Sequence, residues 1–571
     1  MAYDLLIEGG TVVDGSGLPG ERADIGVTDG MIAAIGDLKG EAAKETIDAE
    51  GQIVSPGFID GHTHMDAQIF WDDIGSNSCW HGVTSVVMGN CGFSLAPCAE
   101  ADKNLVLHNL ERAEDISPEA MNAGIDWSWE SFAEYFDTVD ALPKGLNYAG
   151  FVGHSAIRTY AMGKRAMEEE ASEDDLAIMK HELEASLRAG ALGFSTSRTS
   201  SQRTPEGKPV ASRLANWDEL LTLAGVMKEL GTGIMQIARE NVIDDTEKRR
   251  QEYEEVKTLA LDVGVPVTFG NTWYRNSHPD LWRSQVRLID EIIAAGGSAM
   301  MQGTASWNCS LRSFETATPY DHAPVWKEFR KLPLAEQEKG LRDAAMRKKL
   351  VDAVLAHQHS PDPSLPNLYQ RPVEWDWVFP YENPLPPYRS VAAVAGERGI
   401  EPIDAFIDLA LEHHLKLFFI QPSFNQDQNA VLAMMRHPNT VVTFSDAGAH
   451  VATTVNPIHG HLLGHWVRNE QAIPLESAIR KITFDIANFW GLSGRGLINQ
   501  GYHADITIFD PATISPDMPI LAHDLPAGAP RIIQKTDGIQ ATIVNGKILM
   551  RHNEHTGALP GRLLRGPLAR D

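Results

Sequence analysis

The pattern of hydrophobic and polar positions divides the chain into two kinds of segment. Residues 4–54 form short apolar runs separated by Gly-Gly and Asp-Gly turns, a pattern typical of strands joined by hairpins. Similar runs return at 504–550 and include an Asn-Gly turn at 545–546. Because chain termini often lie close together, we predict that 1–54 and 495–571 form one small β-sandwich domain.

Between these ends, short apolar runs alternate with longer stretches of helical periodicity. Such alternation predicts an α/β fold with parallel strands and right-handed crossovers. Eight repeats are the number needed for a closed (β/α)8 TIM-like barrel, here over 55–494. The predicted strands are 58–61, 84–89, 147–152, 191–195, 233–237, 265–269, 298–301 and 440–444.

A long insertion, about 303–439, separates the seventh and eighth predicted strands. It contains charged helical runs and a Pro- and Trp-rich stretch. Segments that follow a barrel strand lie at the catalytic face, where long ones often form lids. The insertion is therefore either a lid or a segment that supports the barrel or an oligomer contact.

Composition narrows the classes of partner. The 571 residues carry a formal net charge of −28, which argues against nucleic acid and anionic membrane surfaces as partners. The four cysteines are too few for a disulfide framework, and neither a signal peptide nor a membrane-spanning run is evident. We expect a cytoplasmic protein that acts on a small molecule; a homo-oligomer stays open.

The first candidate chemistry is a His-x-His pair, His62 and His64, at the carboxyl end of the first strand. Alternate side chains of a strand point to the same face, so both imidazoles can reach one metal ion. Such a pair also arises by chance on a loop.

Two further candidates follow the second and eighth strands. Cys91 lies beside glycines and, as a thiolate, would be a good zinc ligand, although a free cysteine is more often simply buried. Asp446 precedes a run of small residues and could be either a metal-site carboxylate or a helix N-cap. Both fall at strand carboxyl ends, the face of a barrel where active sites occur.

Together these motifs resemble the amidohydrolase superfamily, and within it the D-aminoacylase (N-acyl-D-amino-acid deacylase) branch. The residues at 56–64, Pro-Gly-Phe-Ile-Asp-Gly-His-Thr-His, are similar to the first metal motif of the superfamily. Gly-Asn-Cys-Gly at 89–92 resembles the metal-bridging cysteine segment of the branch, and Ser445-Asp446 its catalytic aspartate. The resemblance covers nearly the whole chain. It implies a metal-dependent hydrolase of a C–N amide bond, most specifically in an N-acyl-D-amino acid or a related small amide.

The chain departs from this branch at strands five and six, where the family carries metal-binding histidines. Gln236 stands at the first position, and Asn271 follows the sixth strand. Neutral amides are poor zinc ligands. We therefore predict one divalent ion per chain, with zinc the expected metal, held by the four-ligand set of His62, His64, Cys91 and Asp446. Gln236 and Asn271 would instead hydrogen-bond the substrate.

The resemblance also implies catalytic roles. Asp446 would take a proton from water and pass it to the leaving amine, as a general base and then an acid. His154, after the third strand, is the candidate for a second electrophile, with a structural histidine as the equal alternative.

Candidates for substrate binding follow strands four, five, six and eight. Arg198 and Arg239 could each hold a carboxylate, or be a surface charge or a partner of Glu240. Trp273 could line an apolar acyl pocket, or simply pack, and His450 is the histidine after Asp446 expected to lie nearest the site.

Two other functions stay open. The altered strands five and six would suit a hydrolase of a cyclic amide, a lactone or another carbonyl compound. A barrel with an impaired metal site would be a non-catalytic binding protein, without metal or turnover. Screening N-acetyl-D-amino acids against cyclic imides and lactones separates these possibilities.

Overall fold

The computed structural model describes residues 2–114, 116–240, 242–270, 274–359, 373–451, 453 and 457–569. The chain begins with five strands: β1 (Tyr3–Val12), β2 (Glu21–Thr28), β3 (Met31–Gly36), β4 (Ala43–Asp48) and β5 (Ile53–Pro56). The long β1 pairs antiparallel with β2 along one edge. Along its other edge it pairs in parallel first with β4 and then with β5. A register shift between Ile7 and Gly10 accompanies this change of partner.

Nine strands of the barrel follow: β6 (Phe58–Asp60), β7 (His62–Thr63), β8 (Val83–Met88), β9 (Asn147–Gly150), β10 (Val152–Gly153), β11 (Gly193–Ser197), β12 (Ile234–Ala238), β13 (Val267–Gly270) and β14 (Ala299–Gly303). The helices among them are α1 (Lys103–Glu114), α2 (Pro118–Gly124), α3 (Phe132–Ala141), α4 (His154–Met162), α5 (Glu173–Ala189), α6 (Trp217–Leu230), α7 (Thr246–Lys257), which continues as a π-helical turn (Thr258–Val263), and α8 (Leu281–Ala294).

The sequence marks the ends of these helices clearly. Ser172 and Asp175 form a capping box at the start of α5, and Gly190, at φ 111°, ends it. Asn216 caps α6, which ends at Gly231. The apolar periodicity between the predicted strands indicates the same bounds, 173–189 and 217–230.

The insertion after β14 has a small sheet and a core of its own. Its strands are β15 (Asn308–Arg312), β16 (Phe379–Pro380) and β17 (Phe419–Phe424), and β17 lies between the other two in antiparallel pairing. Its helices are α9 (Pro324–Arg330), α10 (Leu334–Arg342), α11 (Ala344–His359), α12 (Val391–Arg398), α13 (Pro402–Glu412) and α14 (Gln428–Arg436). Buried aromatic residues such as Trp326 and Phe406 pack together in this core. The insertion is thus a folded unit rather than a simple loop.

The last barrel strand brings the chain back to the first. It consists of β18 (Thr440–Val442) and β19 (Phe444–Ala447), and helices α15 (Ile458–His461), a π-helical stretch (Leu462–Asn469), α16 (Leu475–Ile482) and α17 (Phe484–Trp490) follow. The parallel ladders run β6-β8-β9, β10-β11-β12-β13-β14-β18 and β19-β7. Because β6/β7, β9/β10 and β18/β19 are consecutive pieces of chain, these pairings lead through eight strand positions and return to the first. All eight predicted strands lie within a few residues of these positions.

The C-terminal part completes the N-terminal sheet. It contains β20 (Ile506–Phe509), β21 (Ser515–Pro516), β22 (Ile520–Ala522), β23 (Arg531–Ile533), β24 (Thr536–Asp537), β25 (Ile539–Val544), β26 (Lys547–Arg551) and β27 (Glu554–His555). Four of these join β1–β5 in one sheet of nine strands, ordered β27-β26-β25-β20-β5-β1-β2-β3 with β4 beside β1. The two chain ends therefore meet as predicted. The strands of the expected sandwich are, however, hydrogen-bonded in one continuous sheet, because β1 pairs with both β4 and β5 along the same edge.

The tail after β27 leaves that sheet and returns to the barrel. Gly561 N–H donates to Lys144 O, Leu564 N–H to Tyr148 O and Gly566 N–H to Gly190 O, at 2.7–2.8 Å. The predicted boundary, with all of 495–571 in the β domain, missed this return because the contacts are backbone hydrogen bonds without an apolar pattern. Within the described ranges, no helix has the length and apolar character needed to cross a membrane.

Candidate metal centre and active site

His62 and His64 lie where β6 and β7 end at the mouth of the barrel, and both are buried. His62 Nδ1 donates a hydrogen bond to Gln302 Oε1 at 2.6 Å. This bond fixes the tautomer, so Nε2 carries the lone pair that a metal needs. Burial lowers the pKa of His62 to about 4, which keeps the imidazole neutral at physiological pH.

Cys91 lies in a tight turn after β8 with a left-handed backbone, at φ 58°. Its N–H donates to Gln236 Oε1 at 2.7 Å, and its Sγ lies 3.3 Å from His62 Nε2. Gly89, at φ 76°, is required before it, because a Cβ there would lie 2.1 Å from the carbonyl oxygen of Phe151. The glycines thus let the turn approach the neighbouring strand and direct the thiol towards the histidines.

The donor atoms of His62, His64 and Cys91 all lie within 4.8 Å of one another. Two imidazoles and a thiol are a ligand set that suits zinc. Burial, followed by the charge of Asp446, raises the pKa of the Cys91 thiol, so its thiolate form depends on a cation bound beside it. The residues therefore fit a divalent metal ion.

Asp446 lies on β19 beside these three residues. Its Oδ1 is 3.4 Å from Nε2 of both His62 and His64. Burial raises the pKa of Asp446, but the hydrogen bond with His64, followed by the influence of His62 and His450, outweighs it and lowers the pKa to about 2. The carboxylate is 17% exposed, so it can meet both an ion and a substrate. Of the predicted four-ligand set, three residues form the mutually close group and Asp446 adjoins it.

Two residues around this centre were not anticipated from the sequence. Gln302, at the end of β14, holds the ring of His62. Asp66 accepts the Gly89 N–H at 2.9 Å and so supports the turn that carries Cys91. Both lie at or just after a strand's carboxyl end, which is the one signal that could have identified them.

His154 lies outside the cavity, contrary to its predicted role as a second electrophile at the mouth. Its ring is fully buried, with Nδ1 2.9 Å from Thr196 Oγ1 and Nε2 2.7 Å from Glu219 Oε1. Glu219 also pairs with the buried Arg158. Both ring nitrogens are thus engaged with the protein, which corresponds to the structural alternative for His154.

The two arginines predicted to hold a carboxylate lie in different places. Arg239 lines the cavity, but it forms a buried two-pronged pair with Glu252 at 3.0 and 3.2 Å. Arg198 is not among the residues of the cavity wall. Its guanidinium donates to Ala215 O and lies over the Trp217 ring. The alternative of a pair with Glu240 does not describe these contacts: Arg198 is held by Ala215 O and Trp217, and Arg239 by Glu252.

A cavity of about 570 Å³ opens above the metal group. Gln236 and His450, two of the predicted substrate-binding residues, line it, and Asn308 and Phe424 contribute a wall from the insertion. Further lining residues are Phe93, Arg203, Val210, Ile243, Arg275 and Phe444. Asn271 and Trp273, also predicted to bind substrate, lie outside the described residues.

Imidazole, thiol and carboxylate groups at the carboxyl ends of parallel strands, beneath a substrate-sized cavity, define a metal-dependent hydrolase. The sequence profile of the Amidohydrolase family matches residues 45–550. The chain belongs to the amidohydrolase family and, within it, to the D-aminoacylase branch. It is a hydrolase of carbon–nitrogen bonds other than peptide bonds.

The relatives match this chain over nearly its full length. A D-aminoacylase of Alcaligenes xylosoxydans xylosoxydans is 30% identical over 98% of this chain and 97% of its own. An N-acyl-D-glutamate deacylase of the same organism is 28% identical over 98% and 96%. Among solved structures, the N-acyl-D-glutamate deacylase of Bordetella bronchiseptica, complexed with zinc and a phosphonate inhibitor, has a TM-score of 0.66 at 24% identity. It covers 99% of this chain and 100% of its own. At that identity the structural likeness establishes the fold.

Proposed function

We propose that the chain hydrolyses the amide bond of N-acyl-D-amino acids with a single divalent ion, zinc. His62, His64 and Cys91 would hold the ion, with Asp446 beside it. The observation that carries this proposal is the convergence of three buried donor atoms within 4.8 Å, next to a carboxylate 3.4 Å from two of them.

The surroundings of Gln236 support one ion rather than two. Its carboxamide oxygen, the only atom of that side chain that could face a metal, already accepts the N–H of Cys91 at 2.7 Å. An amide in this position thus fixes the cysteine turn instead of completing a second ligand set.

When bound, the ion would supply Lewis-acid chemistry for activating water and polarising the amide carbonyl. Asp446, whose Oδ1 lies 3.4 Å from Nε2 of both His62 and His64, would accept the proton of the attacking water. It would then pass that proton to the amine that leaves. The hydrogen bond from His62 to Gln302 keeps the imidazole oriented during these steps.

The charges of the cavity support an anionic substrate. Although the chain carries a formal charge of −28, Arg203, Arg239 and Arg275 line the cavity, and Asp446 is the only acidic residue on its described wall. Glu252 already balances Arg239. Arg275 lines the same cavity and lies over the Phe424 ring at 4.1 Å, and we take its guanidinium as the candidate for the substrate carboxylate.

The apolar part of the wall suits the rest of the substrate. Phe93, Val210, Ile243 and Phe444 line the same cavity as the arginines. A wall with both characters fits a molecule with a carboxylate at one end and an acyl chain or hydrophobic side chain at the other.

The test is a comparison of N-acetyl-D-amino acids, their L-enantiomers, cyclic imides and lactones, with metal analysis of the same preparation. We expect turnover of the D-compounds, one tightly held ion per chain and loss of activity on chelation. Preferred turnover of a cyclic imide or lactone would replace the proposed substrate, and two tight ions would contradict the metal count. A protein with neither metal nor turnover would be a binding protein.

The carboxylate contact has its own test. In Arg275→Gln we expect KM for an N-acetyl-D-amino acid to rise at least about tenfold with little change in metal content, because a charge-assisted contact is lost. Arg283→Gln removes a surface arginine that lies over Trp282, away from the cavity, and is the matched control. An unchanged KM in Arg275→Gln would assign the carboxylate to another residue.

A further inference from the structure

A second cavity, of about 310 Å³, lies between the insertion and the helical segment that follows β19. Its walls come from β15, β17, the segment around residues 381–388, and the π-helical stretch Leu462–Asn469. Aromatic rings dominate it: Trp307, Tyr381, Tyr388 and Trp466 all face this space. Within this group, Trp307 and Tyr388 have ring centroids 5.3 Å apart.

This cavity is distinct from the one above the metal group. Successive residues of a strand point to opposite faces. On β15, Asn308 lines the metal cavity, whereas Cys309 and Leu311 line the second one. On β17, Phe424 lines the first cavity and Ile420, four residues earlier, lines the second, so this strand runs past both spaces. The alternation along β15 therefore separates the two cavities.

Three polar groups in this cavity have unused hydrogen-bonding capacity. His461 and His465 are each only 7% exposed, and their rings lie 5.0 Å apart. His461 Nε2, His465 Nδ1 and Trp307 Nε1 have no hydrogen-bond partner among the described residues. Buried polar atoms usually have a partner, so these three atoms are candidates for hydrogen bonds with a ligand or ordered water.

The charges of the cavity favour an uncharged ligand. Of the described lining residues, none is a lysine or an arginine, whereas Glu470 is acidic. Burial lowers the pKa of His461 to about 3 and also lowers that of His465, so both rings are neutral. A neutral imidazole can donate or accept one hydrogen bond at each nitrogen, which matches a hydroxyl group better than a carboxylate.

We propose that this cavity binds an uncharged planar aromatic molecule with a hydroxyl group, that is, a ligand of the phenol class. The ring would lie among Trp307, Tyr388 and Trp466, whose side chains line the space and can pack against an aromatic ring. The hydroxyl would meet the imidazoles of His461 and His465. This site is separate from amide hydrolysis and stands whether or not the proposed substrate is correct.

The probe is 4-fluorophenol, observed by fluorine NMR with the full-length, metal-loaded protein, and 4-fluorobenzoate is the charged comparison. We expect saturable binding of the phenol and binding of the benzoate at least tenfold weaker, because the phenol is uncharged at neutral pH and no lysine or arginine is among the described lining residues.

Three variants locate the binding. His465→Phe keeps the aromatic volume but removes the ring nitrogens that would bind the hydroxyl, and we expect 4-fluorophenol to bind at least tenfold more weakly. Asn429→Trp places a ring at the exposed rim and should abolish binding, whereas Asn429→Ala at the same position should retain it. Arg203→Ala alters the other cavity and should leave the phenol affinity unchanged.

Each outcome decides the proposal. The expected phenol preference, together with its loss in Asn429→Trp, supports it. It is overturned by the absence of saturable phenol binding, by equal or tighter binding of the benzoate, or by phenol affinity that survives both His465→Phe and Asn429→Trp. If His465→Phe does not fold, the wild-type comparison and the pair of variants at Asn429 still decide.

Discussion

Cys91 and Asp446 both hold their side chains at the metal group from a left-handed backbone, with φ values of 58° and 57°. A non-glycine residue in this region costs about 1–3 kcal/mol, which the surrounding structure must offset. Gly448, after Asp446, packs so closely that a Cβ would lie 2.3 Å from the His64 carbonyl oxygen. The two side chains that matter most chemically are thus held at the expense of local stability, as is common at active sites.

This backbone makes Asp446→Asn an informative substitution. Asparagine tolerates positive φ and has nearly the same shape, so the change removes the proton acceptor without adding strain. We expect kcat to fall about 10²–10⁴-fold, the usual contribution of a general base. Thermal stability and circular dichroism should stay close to wild type, and retention of activity would exclude Asp446 as the base.

Gln302 offers a second residue-level prediction, on metal affinity. Gln302→Leu removes the acceptor for His62 Nδ1, and loss of such an orienting partner weakens metal binding about 10–100-fold. Gln302→Glu restores an acceptor and should recover much of the affinity, measured by competition with a chelator. Gln285→Leu, a buried glutamine on α8 remote from the site, is the control and should have no effect. Equal affinity in Gln302→Leu and wild type would contradict the orienting role.

At the scale of elements, a buried charge cluster joins α4 to α6. Glu219 accepts from both His154 and Arg158, and all three side chains are at most 3% exposed. The two bonds connect the helices that follow the third and fourth strand positions. His154 therefore acts in the packing of the barrel's outer layer.

Removal of one partner should be far more damaging than removal of the pair. Glu219→Gln leaves the Arg158 charge buried and unbalanced, and we expect the free energy of unfolding in urea to fall by about 3–5 kcal/mol. Replacing Arg158 and Glu219 together by Met and Leu should recover most of that loss. The exposed pair of Arg188 and Glu184 gives the comparison, since Glu184→Gln should change stability by less than about 1 kcal/mol. A small effect of Glu219→Gln would mean that water reaches the cluster.

How much could be predicted from the sequence depends on how far apart along the chain the interacting residues lie. Helices such as α5 and α6 depend on local caps and apolar periodicity, so their bounds could be predicted. His62, His64, Cys91 and Asp446 could be placed because a strand's carboxyl end is itself visible in the pattern. The partner of His154 could not be predicted, because Glu219 is 65 positions away in the chain and its burial depends on packing. The same holds for Gln302, which is 240 positions from His62.

At the scale of the whole molecule, buried neutral histidines link stability to pH. Burial lowers the pKa of His81 to about 4 and that of His461 to about 3, both below the ordinary value of 6.5. As the pH falls below about 6.5, the unfolded chain takes up protons that the folded chain does not. The free energy of unfolding should therefore fall, by about 1.4 kcal/mol per pH unit for each such group.

Urea unfolding at pH 7.5, 6.0 and 5.0 measures this dependence. His461→Gln removes one titrating group and should give a shallower decrease between pH 6.5 and 5, whatever its effect on stability at pH 7.5. His523→Gln, at an exposed position, is the control for the substitution itself. An identical slope in His461→Gln and wild type would show that other groups dominate acid unfolding.

The nine-stranded sheet has a consequence for how the protein is made. Ser55 on β5 donates to the carbonyl oxygen of Thr507 on β20, 452 residues later in the chain. During synthesis, one edge of β5 therefore stays unpaired until nearly the entire polypeptide has been translated. An unpaired strand edge can pair with another nascent molecule and so promote aggregation. A circular permutant that brings β20 next to β5 in the order of translation should shorten that exposure and yield more native protein from the same amount of message.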